Sequence, residues 1–318
     1  MKALVFSKKR IKLKKIPIPE PKRNEALIKV IKAGICNTDL EILKGYMNFE
    51  GVLGHEFVGI VVESEEKKWI GKRVVGEINI GCGICDYCLK DKINHCPSRK
   101  VLGILNKNGV FSEYITLPLS NLHVVPDKIS DRAAVFTEPL AAALRILEQI
   151  KLSRKDKVLI LGDGKLGLLI AQVIKRTGVN VYCIGKHKKK LKILEEKGVK
   201  TLLAGEGIAK KFDIVIEATG NREGFEMALN YTKPEGKIIL KSTYSGNINT
   251  DISAVVINEF HIIGSRCGPF DKALKWLEKD LIDIESLIDG EYSLDEWKKA
   301  FSEARKSENL KILFAISQ

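Results

Sequence analysis

The stretch "GCGICDYCLKDKINHCP", residues 81–97, holds four of the seven cysteines of the chain. Cys82, Cys85, Cys88 and Cys96 are spaced C-x2-C-x2-C-x7-C. Three chemistries use such a cluster: disulfides, an iron–sulfur cluster, or zinc. The chain opens "MKALVFSKKRIKLKKI", whose apolar part is too short for a signal segment, and no apolar run nears the roughly 18 residues of a bilayer crossing. A soluble, cytoplasmic protein is therefore expected, in which thiols stay reduced and disulfides are disfavoured. The iron–sulfur run C-x2-C-x2-C-x3-C-P shares the first steps and the final Cys-Pro, but its last gap is three where this one is seven. Four thiolates around a tetrahedral zinc tolerate the longer loop, so zinc is the expected occupant.

A second stretch, "LILGDGKLG", carries Gly162, Gly164 and Gly167 as G-x-G-x-x-G, with Leu166 inside the turn. It follows an apolar strand pattern and opens a helical one, the context in which this motif cradles a dinucleotide. The glycines allow a tight turn, close approach to a pyrophosphate and close helix–strand packing, and the helix start offers N–H groups to phosphate oxygens. An acid about 20 residues on would bond the ribose 2′-hydroxyl of NAD. There the sequence has Gly185, followed by Lys186, His187, Lys188, Lys189 and Lys190. These lysines open a helix and Glu195 and Glu196 close it, both against the helix dipole by about 0.3–1 kcal/mol per charge. That pattern calls for a bound anion, and NADP is expected over NAD.

Three further residues could ligate a metal: Cys36 in "CNTDLE", His55 in "GVLGHEFVG" and Glu138 in "FTEPLAAAL". Each alone is unremarkable, since a lone cysteine is usually a small hydrophobe.

The elements that must position these residues fall into two patterns. Short strands are expected in "KALVF", "ALIKVIKAGI", "FVGIVVES", "KRVVGEI", "FSEYITL" and "HVVP", with a helical turn in "NTDLEILKG" closed by Gly45. From about residue 132 the pattern changes. "DRAAVFTEPLAAALRILEQI" reads as helix, and the apolar strands "KVLIL", "VNVYCI", "FDIVIE", "GKIILKS" and "HIIGS" alternate with helices, as in a parallel sheet. Two helical stretches and a last strand, "LKILFAI", follow. An α/β nucleotide domain over 139–267 is thus expected to interrupt a mainly β domain built from 1–138 and 268–318. The 318-residue chain is 45% hydrophobic and 29% charged with a net charge of +13, which suits a folded enzyme. The lysines are spread along the chain among glutamates, which argues for an ionic surface and against a nucleic-acid stripe. Glutamine is confined to Gln149, Gln172 and Gln318, a bias that raises the expectation of a thermophilic source.

Taken together and in this order, "GHE" with "VG", the cysteine loop, "EPLA", the glycine turn and "EATG" resemble the zinc-dependent medium-chain dehydrogenases/reductases, relatives of alcohol, sorbitol, glucose and threonine dehydrogenases. The resemblance runs from "KALVF" to "LKILF". It implies a GroES-like catalytic domain with a structural zinc lobe, a Rossmann domain, an active site in the cleft between them, and a homo-oligomer, dimer or tetramer. It implies two zinc ions per chain, one structural on the four cysteines and one catalytic on Cys36, His55 and Glu138, with Glu56 able to enter. Asp39 would orient the ligand histidine, and Thr38 would accept the alcohol proton before hydride passes to the nicotinamide. Many relatives continue that proton path through a histidine where this sequence has Glu41. Thr219, Ser242, Thr243, Ser265, Arg266 and Lys311 fall at positions resembling cofactor contacts, while Cys183 and Cys267 read as buried small residues.

Three rival readings remain open at this stage. They are a zinc-free quinone or enone reductase of the same fold, a zinc-ribbon nucleic-acid protein, and a catalytically idle binding protein. Tyr46, Asn79 and Glu113 hint at a hydroxylated substrate such as a sugar or polyol, although packing or backbone bonding would explain them equally well.

Overall fold

The computed structural model describes residues 1–243, 250 and 252–317. The chain divides into two compact units, residues 1–138 with 270–318, and residues 139–269.

The first unit is built on a sheet whose strands run in the order Leu122–Val124, Arg73–Gly76, Glu56–Ser64, Glu25–Gly34, Lys311–Ala315 and Ile288–Ser293. Tyr114–Pro118 also pairs with Glu25–Gly34. The central strand, EALIKVIKAG, meets EFVGIVVES antiparallel so that Gly34 lies opposite Glu56. The late strand KILFA joins the same strand, with Leu313 opposite Gly34. Chain segments more than 250 residues apart thus share one sheet. The rings of Phe111 and Phe314 meet edge-on at 5.1 Å, and Phe301 packs on both. Each such pair contributes about 0.5–1.5 kcal/mol beyond its buried area.

Two differences from the sequence pattern have local causes. The stretch expected as one helix is broken into Asp131–Ala134, Thr137–Leu144 and Ile146–Gln149. The Thr137 hydroxyl donates to the Ala134 carbonyl at 2.7 Å, and Pro139 suits the first turn of a new helix, not the interior of a continuing one. The strand Ile288–Ser293 (IDGEYS) was not expected, because it is polar and contains Gly290; it forms by parallel pairing with Lys311–Ala315.

The cysteine stretch leaves and re-enters the unit through the antiparallel pair Asn79–Ile80 and Lys100–Leu102. Between them lie only single turns, Asp86–Leu89 and Ile93–His95, and Ile84 is 82% exposed. A segment this long with its apolar side chains facing solvent has no core of its own and needs a cross-link.

The second unit carries six parallel strands in the order Lys200–Leu203, Asn180–Gly185, Lys157–Leu161, Phe212–Glu217, Thr232–Leu240 and His261–Gly264. Numbered within the unit this is 3-2-1-4-5-6, the doubly wound dinucleotide order with its crevice where the order reverses. The strands VLIL, VYCI and IVIE are buried throughout, as a sheet covered on both faces requires. Leu168, Leu169, Ile170, Val173 and Ile174 of the helix Lys165–Lys175 are all buried. Among the described residues no helix is long and apolar enough to cross a membrane.

Candidate functional site

In the first unit, the helix Asn37–Leu43 begins just after Cys36, with Cys36 as its N-cap. Asp39, fully buried, accepts from the Cys36 backbone N–H at 2.8 Å and from the Gly54 N–H at 3.2 Å. One carboxylate therefore ties the two segments that carry Cys36 and His55. Gly54 is at φ +93°, and a Cβ there would lie 2.5 Å from the Phe111 ring, so only glycine can precede His55.

Ligand atoms of Cys36, His55 and Glu56 all lie within 4.8 Å of one another. His55 Nδ1 is buried without a hydrogen-bond partner, 3.5 Å from Asp39 Oδ1. That separation is a charge contact and too long for a bond. Burial works to lower the His55 pKa, but the Asp39 and Cys36 charges outweigh it and hold it well above 6.5. With Asp39 against Nδ1, Nε2 is the nitrogen left for a ligand. A thiol, an imidazole and a carboxylate converging in a buried site are a donor set that fits zinc.

Glu138, half-buried at the first turn of Thr137–Leu144, is not in that cluster. It acts from further off. Lys311 is fully buried and ion-paired with Glu56, and its pKa is raised: burial opposes the charge, while Glu56, Cys36 and Glu138 favour it. The lysine lies over the Phe136 ring at 5.6 Å. Lys311, expected among the cofactor contacts, is thus buried beside the Cys36, His55 and Glu56 cluster. Gly34 makes room for this pair, since a Cβ there would strike Glu56 Oε2.

Thr38 is half-buried, with Oγ1 3.7 Å from Cys36 Sγ. Glu41, at the expected proton relay, accepts from Lys44 Nζ at 2.8 Å. Of the candidate substrate residues, Glu113 accepts from the Lys2 backbone N–H at 2.7 Å, Asn79 is buried in its strand, and Tyr46 opens the turn Tyr46–Asn48.

The four sulfurs of Cys82, Cys85, Cys88 and Cys96 also close within 4.8 Å, and none of the seven cysteines is in a disulfide. Cys82 and Cys88 Sγ are 4.0 Å apart. A tetrahedron of sulfurs about 2.3 Å from a zinc has edges of about 3.8 Å, so the cluster fits the ion. The N–H groups of Ile84 and Cys85 lower the Cys82 thiol to about 6, which readies it as a thiolate. A Cβ on Gly81 would lie 2.7 Å from Cys88 Sγ.

In the second unit, Gly162 is at φ +110°, and a Cβ there would lie 2.6 Å from the Ala218 carbonyl oxygen. A Cβ on Gly167 would strike the Gly162 carbonyl, whereas one on Gly164 would meet nothing. Two glycines are needed for packing, and the third leaves bare backbone open on the ligand side, which fits a pyrophosphate. Sequence reasoning missed Glu217, buried at the end of its strand. Its Oε1 accepts from Thr219 N (2.7 Å), Thr219 Oγ1 (2.6 Å) and Ser242 Oγ (2.9 Å), three bonds that order two expected cofactor residues. It missed Lys241 as well, whose ammonium donates to the carbonyls of Ala142 and Arg266 and to Ser265 Oγ. Thr243 is exposed; Cys183 is buried, with its thiol pushed up by burial.

Gly185 ends its strand as expected, and the helix Lys188–Glu195 follows with His187 as N-cap. Lys186, Lys188 and Lys189 are exposed, whereas Lys190 is buried. Asp163, between the first two glycines of the turn, was not expected to matter, yet its Oδ2 accepts from Lys186 N, His187 N and His187 Nδ1 at 2.8, 2.7 and 3.0 Å.

Residues 22–127 match the alcohol dehydrogenase GroES-like domain, and residues 131–316 match the glucose dehydrogenase C-terminus. Among curated relatives, D-arabitol-phosphate dehydrogenase of Enterococcus avium is 31% identical, over 94% of this chain and 92% of its own. Sorbitol dehydrogenase of Halalkalibacterium halodurans is 28% identical, over 93% of each. Among solved structures, an alcohol dehydrogenase of Escherichia coli in complex with NADH superimposes with a TM-score of 0.91 at 28% identity, over 99% of each chain. A zinc-binding dehydrogenase of Sinorhizobium meliloti bound to NADP gives 0.89 at 28% identity, over 99% of this chain and 98% of its own.

Proposed function

Since this chain belongs to the zinc-type medium-chain dehydrogenases and is an oxidoreductase of the alcohol dehydrogenase type, we propose that it interconverts an alcohol, polyol or sugar hydroxyl and the corresponding carbonyl with a nicotinamide dinucleotide. The observation that carries this is the convergence of Cys36, His55 and Glu56 beside the Thr38 hydroxyl. Relatives named as D-arabitol-phosphate, sorbitol and L-threonine 3-dehydrogenases support a hydroxylated substrate.

Cys36 and His55, with Glu138 as the resemblance implies, would hold a catalytic zinc, and Glu56, ion-paired with Lys311, would be a fourth donor. Cys82, Cys85, Cys88 and Cys96 would hold a second zinc. Bound zinc supplies Lewis-acid polarisation of the substrate oxygen, and the dinucleotide supplies or takes the hydride. The chain itself handles the proton. Thr38 Oγ1 takes it from the alcohol during oxidation and returns it to the product during reduction. Asp39 holds the Cys36 and Gly54 backbone and sets its charge against His55 Nδ1, which keeps the two segments in place while charge changes beside them. The proton's next carrier is Glu41, half-buried and paired with Lys44, or a water in its place.

On the choice of cofactor, the lysines after Gly185 favour NADP and the Asp163 carboxylate favours NAD. The carboxylate has the greater weight, because it already holds the amides that a phosphate would use. The outer strand of the parallel sheet, His261–Gly264, and the nearby Val256 (72% exposed) and Ile257 (78% exposed) support a homo-oligomer. Free cysteines throughout are in keeping with a cytoplasmic protein.

The test is a panel of alcohols, polyols, polyol phosphates, aldoses and hydroxy-amino acids with NAD and NADP, followed at the reduced-nicotinamide absorbance, together with elemental analysis for zinc. Zinc-dependent turnover of a hydroxylated substrate is expected. A zinc content of one per chain with no turnover would remove the catalytic reading.

A further inference from the structure

In parallel-sheet dinucleotide folds, NAD is told from NADP by what faces the adenosine ribose, and an acid at the end of the second strand commonly does this. Here that strand ends in Gly185. The space of a side chain at 185 is nevertheless filled. A Cβ built on Gly185 would lie 2.5 Å from Asp163 Cβ and 2.7 Å from both Asp163 Cγ and Oδ2. Asp163 comes from the glycine turn after the first strand, and its carboxylate stands where a strand-end acid would place one. The residue is only 7% exposed.

Its bonds fix the carboxylate firmly. The backbone N–H groups of Lys186 and His187 and the His187 ring all reach Oδ2, and Oδ1 receives none of them. These two amides precede the helix Lys188–Glu195, whose first turn is all lysine. Amides at a helix start and neighbouring cations are what a phosphate would use. The anion that this charge pattern calls for is therefore supplied from within the chain. It occupies the donors by three bonds, two of them from backbone, and none of the three uses its second oxygen.

We infer that Asp163 reads the adenosine ribose in this protein: Oδ1 accepts the 2′-hydroxyl of NAD, and the same carboxylate, by its charge and its hold on the Lys186 and His187 amides, turns away the 2′-phosphate of NADP. The inference rests on the dehydrogenase reading and reverses the cofactor preference expected from the lysines. It makes the acid of the glycine turn and the missing acid of the second strand a single exchange, in which the carboxylate has moved to the neighbouring strand end. Gly185 is the counterpart of that move, because any side chain there would collide with Asp163.

The test is binding without turnover. NADH and NADPH are titrated by protein fluorescence quenching, and 5′-AMP and 2′,5′-ADP by calorimetry, against the zinc-loaded wild type, Asp163→Asn and Asp163→Ser. One charge-assisted bond is worth about ten- to a hundredfold in affinity. The wild type is expected to bind NADH about tenfold or more tighter than NADPH, and 5′-AMP tighter than 2′,5′-ADP. Asp163→Ser is expected to weaken NADH and strengthen NADPH by about tenfold each, with Asp163→Asn, which keeps the shape, between them. If the wild type prefers NADPH, or if a variant weakens both dinucleotides equally, Asp163 is only a brace for the helix start and the inference is overturned. The wild-type comparison stands even if a variant fails to fold. Absence of binding by either dinucleotide overturns the dehydrogenase reading itself and this inference with it.

Discussion

Glu56 and Lys311 form an ion pair in which each side chain is 1% exposed. Breaking a buried pair by removing one partner leaves an uncompensated charge and costs about 3–5 kcal/mol. Lys311→Ala is therefore expected to lower the unfolding free energy by about that amount, and Glu56→Gln with Lys311→Met to recover most of it. Denaturant titration at matched zinc content checks this. A loss below about 1 kcal/mol for the single variant would show that water reaches the pair.

The cysteine lobe has a different job. Cys88→Ser is expected to reduce zinc from roughly two to roughly one per chain and to lower the melting temperature, with KM little changed in the folded fraction. Elemental analysis and calorimetry follow the first two, and kinetics the third. Loss of turnover at full thermal stability would place the chemistry in the lobe instead.

Thr38 carries the proposed proton step. Thr38→Val keeps the shape and removes the hydroxyl, so kcat is expected to fall about 10²-fold or more at unchanged zinc content. Thr38→Ser is expected to retain most of the activity. Equal losses in the two variants would point to packing against Cys36 in place of proton transfer.

His123 lies between two carboxylates, with Nε2 3.0 Å from Glu77 and Nδ1 2.8 Å from Asp271, and its ring rests on Phe270. Burial opposes its charge, but the two carboxylates prevail and raise its pKa above 6.5. A pKa raised on folding contributes stability that is complete below the unfolded value and disappears as the pH climbs through the folded one. The stability gap between wild type and Asp271→Asn is thus expected to be widest below about pH 6.5 and to narrow in alkaline solution. Melting curves across pH measure it; a gap that widened with pH would reverse the sign of the argument.

Much of the architecture was legible because its signals are local. The apolar runs of the parallel sheet, the glycine turn and the four-cysteine spacing each sit within a few tens of residues. The partner of Lys311 was not legible, since nothing in "NLKILF" points to a carboxylate 255 residues earlier. The strand Ile288–Ser293 was hidden for another reason: its own sequence is polar and holds Gly290, and only its pairing with Lys311–Ala315 makes it a strand. Asp163 was half legible. An acid inside the glycine turn and a glycine at the next strand end are both visible in the sequence, but only the fold shows that they share one space. The resemblance offered both Glu138 and Glu56 beside Cys36 and His55; only the fold shows that Glu56 is the one whose oxygen lies within 4.8 Å of their ligand atoms.

The sharing of one sheet by distant segments also sets a schedule for synthesis. Glu56 is translated 255 residues before Lys311, which at about 5–20 residues per second is roughly 13–50 s. Throughout that interval the strand Glu25–Gly34 lacks its neighbour Lys311–Ala315, and Glu56 has no cation to bury against. The parallel-sheet unit ends at residue 269 and can fold while the rest is still being made. A ribosome that stalls after that point releases a folded nucleotide unit attached to an open sheet edge and a solvated acid. Such a product is a ready target for chaperones and proteases, and the unit that carries Cys36, His55 and Glu56 is the last to complete its sheet.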